Sequence, residues 1–241
     1  MFKWTQESIA YMDDACRRTE FHQRLAAELR PYLKQTAHVC DAGCGLGYLS
    51  LALAPYVGAV TAVERDSQAL AVLEREIKAR GITNVTAVQD DVLAYRPDTK
   101  FDAMVFCFFG SIEEILAAAA RCCRGTVLAV VRNDARHRFS GKDREPGRHS
   151  YETACRILTE KGINFTTRTA SFAFDQPFRS LEAARRFFEL YGGSEDWRAR
   201  LVETGDPEFP WRLPSRRDFG LIVFQAGDGN STSILRHEPG K

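Results

Sequence analysis

VCDAGCGLGYLS, residues 39–50, sets three glycines in five positions between an apolar approach and an apolar exit. Such a run reads as the end of a buried strand, a tight turn and the start of a helix. In that reading Gly43 makes the sharp turn, Gly45 lets a ligand lie against the main chain, and Gly47 lets the helix begin close to the strand. A glycine-rich turn taken alone is equally compatible with a plain tight connection, so the surrounding sequence has to decide.

On both sides of the turn, strand-like and helix-like runs alternate. AHVCDA (37–42), GAVTAVE (58–64), NVTAVQD (84–90), FDAMVFCFF (101–109) and GTVLAVVRN (125–133) read as strands. GYLSLALAPY (47–56), SQALAVLEREIKARG (67–81) and SIEEILAAAARCC (111–123) carry helical spacing, with Ser67 and Ser111 as N-caps and Gly81 as C-cap. Near-continuous apolar strands alternating with helices predict parallel strands joined by right-handed crossovers. The fold class expected is α/β, a doubly wound, Rossmann-like, mostly parallel sheet of about seven strands with helices on both faces.

Residues 5–34 predict two further helices ahead of the first strand. Beyond residue 131 the polar run RNDARHRFSGKDREPGRHS (132–150) is followed by a helix (151–162) and a strand (163–174), and RDFGLIVFQA (217–226) reads as the last strand. Between these last two strands, SLEAARRFFELYG (180–192) and SEDWRARLVET (194–204) predict a helical cap. The expected organisation is an N-terminal helical segment (1–36), a Rossmann-like domain (37–226) with a helical insertion at about 175–217, and a disordered tail (227–241), which lacks periodicity.

Lys and Arg total 33 against 32 acidic residues, a net charge of +1, so no global field gathers nucleic acid or an anionic membrane. The longest apolar run, AMVFCFF (103–109), is too short to span a bilayer, and the N-terminus carries no signal-peptide core. Seven cysteines, at 16, 40, 44, 107, 122, 123 and 155, form no CxxC and no zinc-type spacing. They read as reduced thiols in a cytoplasmic protein with no metal site.

Open α/β sheets bind ligands beyond the carboxyl ends of their strands. Glu64 ends the second strand, where its carboxylate can accept both hydroxyls of a ribose, and Asp91 follows the third at the next edge of the same crevice. A dinucleotide fingerprint GxGxxG fails here, because its third glycine falls on Tyr48. What fits is an acid before the turn, Asp41-Ala42-Gly43-Cys44-Gly45-Leu46-Gly47, a place that repels pyrophosphate and welcomes a cationic amino acid. The combination resembles the class I S-adenosylmethionine-dependent methyltransferases over residues 37–131.

The resemblance implies a cofactor, S-adenosylmethionine, and a product, S-adenosylhomocysteine. It implies that Asp41 and the backbone around Gly43, Gly45 and Gly47 hold the methionine part and Glu64 the ribose. Asp91, with Val92 beside it, would take the adenine amino group; Asp90 competes for that role, and Arg65 flanks the ring. The aromatic end of the fourth strand, Phe106 to Phe109 with Cys107, would line the sulfonium and its methyl; core packing is the favoured reading for Phe106 and an equal one for Phe108 and Phe109.

Methyl transfer from a sulfonium needs in-line approach and exclusion of water more than a dedicated base. The (D/N)PP(Y/F) signature of amino-methylating enzymes is missing after the fourth strand. The substrate candidates are Tyr11 and Phe109 together with Arg132, Asn133, Arg148 and Tyr151 from the loop after the fifth strand. That loop also holds Arg136, Arg138 and His149, and it suits an anionic group; a solvated basic loop is the competing reading. His137 is the candidate general base. The cap and the N-terminal helices bearing Trp4 and Tyr11 would close over a small acceptor, while Phe187, Phe188 and Tyr191 of the cap read mostly as core with one or two reaching the pocket. The expected function is methylation of a small molecule, with an anionic group on it suggested by the basic loop. The alternatives are a methyltransferase acting on RNA or protein and a non-catalytic sensor of the cofactor.

Overall fold

A computed structural model describes residues 4–139, 147–193 and 196–227. The tail expected beyond residue 227 lies outside the described residues. The chain forms ten strands among them: β1 (His38–Ala42), β2 (Ala59–Glu64), β3 (Val85–Gln89), β4 (Phe101–Cys107), β5 (Cys123–Arg132), β6 (Phe165–Ala173), β7 (Gln176–Phe178), β8 (Val202–Glu203), β9 (Trp211–Leu213) and β10 (Arg216–Gln225). The described helices are α1 (Gln6–Arg18), α2 (Phe21–Leu29), α3 (Tyr48–Leu53), α4 (Ser67–Arg80), α5 (Ile112–Cys122), α6 (Tyr151–Glu160) and α7 (Leu181–Tyr191).

Seven strands make one sheet in the order β3-β2-β1-β4-β5-β10-β6, and only β10 runs against its neighbours. The order reverses at β1 and β4, which pair in parallel, so the crevice for a ligand opens above their carboxyl ends. Alternation along the strands feeds two apolar layers. Val39, Ala103, Val105, Leu128 and Val130 face α1 to α4, whereas Cys40, Met104, Phe106, Val127 and Ala129 face α5 and α6. Buried on both faces, these strands show the continuous apolar runs visible in the sequence.

The caps follow local chemistry. Ser111 forms a capping box with Glu114 at the start of α5, and Gly81 closes α4 in the left-handed region. The N-cap of α4 is Asp66 rather than Ser67: its Oδ1 accepts from the backbone N–H groups of Gln68 and Ala69 at 3.0 and 3.1 Å. A carboxylate at this position also meets the positive end of the helix dipole.

The segment between β6 and β10 differs from the all-helical cap expected. Among its described residues only α7 is a full helix; Trp197–Arg200 is a single 3-10 turn that runs straight into β8. β7, β9 and β8 form a separate three-stranded antiparallel sheet. Trp197 and Leu201 have helical spacing, but Val202 and Glu203 find strand partners in Arg212 and Trp211, and tertiary pairing overrides the local pattern. Tyr11 of α1 is buried in the same small core as Phe178, Phe187, Phe188 and Leu213, so α1 and the insertion pack as one cap.

Candidate active site

Above β1 the glycine turn adopts the conformations that only glycine takes readily. Gly43, Gly45 and Gly47 have φ of +72°, +55° and +74°. The N–H groups of Gly43 and Cys44 both donate to the Val63 carbonyl, at 2.9 and 3.0 Å, which ties the turn to the end of β2. A Cβ on Gly43 would lie 2.4 Å from the Phe109 ring, and one on Gly47 would lie 2.5 Å from Leu73 of α4. The surface beside Gly45 is covered by the Trp4 ring, 3.1 Å from where a Cβ would stand.

Two carboxylates support the turn. Glu64 Oε2 accepts from the Gly45 N–H, and its Oε1 accepts from the N–H groups of Arg65 and Asp66, all at 3.0 Å. Asp41 is buried beneath the turn, where its Oδ2 accepts from Ser50 Oγ at 2.6 Å. Burial drives its pKa up to about 6, the Ser50 hydrogen bond works against that rise, and the Glu64 charge adds to it. Such a group responds to a cation placed on the turn.

A cavity of ≈ 840 Å³ runs from this turn to the cap. Its floor brings together Asp41, Gly43, Gly45, Gly47, Glu64, Arg65, Asp90, Asp91, Val92, Cys107, Phe108 and Phe109, all read from the sequence as one site. Arg65 is exposed at the rim and Val92 is buried. Asp91 Oδ1 accepts from Leu93 N–H at 2.9 Å and Asp90 Oδ1 from Asp91 N–H at 2.7 Å, so each keeps a second oxygen for a ligand. Burial raises the Cys107 thiol to about 12, leaving it a small neutral wall. Phe108 is the only non-glycine among the described residues with positive φ, +54°. Backbone strain of this kind gathers at ligand sites, and its N–H is pinned to the Val130 carbonyl at 2.9 Å.

The substrate candidates divide. Tyr11, Phe109, His137 and Arg148 line the large cavity. Arg132 lines a second one of ≈ 350 Å³ that shares Phe108, His137, Arg138, Phe139 and Arg217 with the first. Asn133 is exposed, with its backbone N–H on the Asp218 carbonyl, and lines neither. Tyr151 also lines neither: its ring packs over Gly220 within the α5–α6 layer, where a Cβ on Gly220 would lie 2.0 Å from it. Its place at the N-terminus of α6 turns it into the core. Tyr11 Oη donates to the Ala183 carbonyl at 2.8 Å, and burial lifts its pKa to about 12. Burial and the charges of Arg138 and Arg132 lower the His137 pKa, which keeps its imidazole neutral and able to accept a proton.

Several cavity residues escaped the sequence reading, among them His22, Phe174, Gln176 and Arg217. Arg138, read from the sequence as one of many loop arginines, turns inward instead: its Nε donates to Ser215 Oγ at 3.0 Å and its Nη2 to the Phe174 carbonyl at 2.8 Å. Burial lowers its pKa to about 9. A sequence signal for Arg217 did exist, because it shares a strand face with Phe219 and Leu221, an inward period of two at the start of β10.

The family model described as "Methyltransferase domain" matches residues 39–134. No curated protein sequence matches the chain. Among solved structures, a SAM-dependent methyltransferase from Aquifex aeolicus shares 16% identity over 93% of this chain and 100% of its own, with a TM-score of 0.56. The YcgJ protein of Bacillus subtilis (14% identity, 85% of this chain and 98% of its own) scores 0.52. Precorrin 8w decarboxylase of Methanobacterium thermoautotrophicum (18% identity, 84% and 88%) scores 0.51. At such identities the likeness is one of fold.

Proposed function

We propose that the chain is a class I S-adenosylmethionine-dependent methyltransferase whose methyl acceptor is a small molecule carrying an anionic group. The observation that carries this reading is the continuity of the ≈ 840 Å³ cavity from the glycine turn to the cap. Its size lies in the upper part of the range for small-molecule sites, and its far walls are Tyr11, Phe174, Gln176, Phe187, Tyr191 and Arg217.

The cofactor, when bound, supplies an electrophilic methyl group on a sulfonium. In this reading Asp41 and the main chain of Gly43 and Gly45 hold its amino-acid end, Glu64 the ribose, and Asp90 or Asp91 with Val92 the adenine. The cradle fits such a ligand: side-chain-free backbone at Gly45, a buried carboxylate beneath it and acids at two successive strand ends. Cys107, Phe108 and Phe109 add apolar surface without competing nucleophiles. Holding an acceptor between this wall and the cap supplies orientation and removes water, which is most of what the transfer needs. His137, neutral and on the acceptor side, takes the proton where the acceptor has one to lose. Free, mostly buried thiols suit a cytoplasmic enzyme.

The reading is tested by incubating the protein with methyl-labelled S-adenosylmethionine and a cell extract, then separating products by size with nuclease and protease controls. Label in the small-molecule fraction is the expected result. Label in nuclease- or protease-sensitive polymer overturns the small-molecule acceptor in favour of RNA or protein, and cofactor binding without any labelled product overturns catalysis in favour of a sensor.

A further inference from the structure

Arg217 sits at the first turn inward of β10, where its side chain faces both cavities at once. Its Nε is fully buried and has no hydrogen-bond partner, and among the described residues the guanidinium makes no hydrogen bond or ion pair at all. Aromatic rings occupy its surroundings instead: its central carbon lies 4.7 Å from the centroid of Phe108, 4.9 Å from Phe174 and 5.9 Å from Phe21. Rings stabilise a cation through its faces but leave its N–H groups without acceptors. A partly buried arginine with its Nε in that condition carries a desolvation cost that an anion would relieve.

We propose that Arg217 receives the carboxylate of the methyl acceptor, so that the substrate class is an apolar, ring-bearing molecule with one carboxylate; this deepens the small-molecule reading above and rests on it. The charges around Arg217 favour an anion. Arg138 is committed to Ser215 and Phe174, and half-buried Asp134, which lies near both Arg138 and Arg217, is the one carboxylate among the described residues that lines the smaller cavity against Arg132, Arg138 and Arg217. His22, whose buried Nδ1 also lacks a partner, lines the same cavity and stays neutral, so it offers a hydrogen bond and no second positive charge. The walls beside the guanidinium are the rings of Phe108 and Phe174, matched to an apolar ring rather than to a sugar.

Placement separates this cation from the amino-acid end of the cofactor, which also bears a carboxylate. β10 lies beyond β4 and β5 from the glycine strand β1. The smaller cavity that Arg217 shares is walled by Val130, Val131, Arg132 and Asp134, with none of Gly45, Glu64 or Asp91. An acceptor carboxylate there leaves the rest of the molecule to extend past Phe108 toward the methyl-donor wall.

The experiment is calorimetric titration of the full chain saturated with S-adenosylhomocysteine, using benzoate and phenylacetate as probes and benzamide as the neutral counterpart. Wild type should bind one of the two carboxylates at least tenfold more tightly than benzamide. Arg217→Met should erase that preference, Arg217→Lys should retain part of it, and both should bind S-adenosylhomocysteine within twofold of wild type, which also reports an intact fold. No carboxylate preference in wild type, or the same preference in Arg217→Met, overturns the proposal. So does a tenfold loss of S-adenosylhomocysteine affinity in Arg217→Met with unchanged affinity for 5′-methylthioadenosine, which would assign the cation to the cofactor's carboxylate. None of these outcomes depends on turnover, so they stand apart from the labelled-methyl test of the acceptor class.

Discussion

Asp41 and His22 both line the large cavity and titrate in opposite senses. Asp41, with its native pKa raised to about 6 from the ordinary 3.8, keeps its proton longer in the folded state than in the unfolded chain. Its contribution is fully present below pH 3.8 and is lost as pH rises toward 6, at up to ~1.4 kcal/mol per pH unit. His22, lowered from 6.5 to about 3 chiefly by burial, works the other way: its contribution is whole above 6.5 and is lost as pH falls toward 3. Between pH 3.8 and 6 the two slopes oppose each other. Urea unfolding across pH 4–6 should therefore show a stability rising more steeply with pH in Asp41→Asn than in wild type, and falling with pH in His22→Phe. Parallel curves for all three proteins would contradict the assignment. At the same scale, Glu64→Gln should weaken S-adenosylhomocysteine binding by ~1.5–3 kcal/mol, the worth of charge-assisted hydrogen bonds, read by calorimetry. Gly45→Val should abolish that binding with the fold retained, because a side chain there meets Trp4 at positive φ and stands where the ligand would lie.

At the scale of elements, the strands were legible because burial on both faces writes an uninterrupted apolar run, and the glycine turn because its φ values exclude other residues. The cap was half legible. α7 shows its period, whereas β7, β8 and β9 are two- and three-residue strands whose partners lie far off in sequence. The site follows the same division. Residues at the ends of β1 to β4 could be read in order along the chain, but Asn133 and Tyr151 were grouped by loop composition, which carries no direction for a side chain. His22 and Arg217 are joined to the site only by the folding of α2 and β10 over it. The N-terminal helix shows a further contact that sequence hides. Tyr48 Oη donates to Asp13 at 2.5 Å, Arg17 reaches buried Glu76 of α4 at 2.5 Å, and Arg80 joins it at 2.8 Å. These contacts hold α1 beside the glycine turn. Glu76→Gln keeps the volume and removes the charge, leaving partly exposed arginines without their partner. Amide exchange over Gln6–Arg18 should accelerate about tenfold, the equivalent of ~1.4 kcal/mol, while β1, β4 and β5 keep their protection. Equal acceleration throughout would make Glu76 a support of global stability rather than of α1.

For the molecule as a whole, charge and enclosure bear on the acceptor together. A net charge of +1 leaves no excess of cations to follow a polyanion, and much of the arginine surface is already paired. Arg185 and Arg186 bind Glu182, Arg179 binds Asp14 and Glu208, Arg124 binds Asp102, and Arg168 binds Glu28. Exposed pairs of this kind add little stability, but they cancel the field that would steer nucleic acid. Two cationic groups face inward, Arg138 and Arg217, behind a cap made of α1, α7 and the small sheet. Buried charge is screened far less by salt than surface charge. A polynucleotide enzyme making several phosphate contacts loses about 10³-fold or more in affinity between 50 and 200 mM salt. Here the apparent KM for the labelled small-molecule fraction should shift by less than about threefold over that range, because a single enclosed ion pair releases few counterions. A steep salt dependence would place the productive contacts on the outer surface and remove the cap from its proposed role.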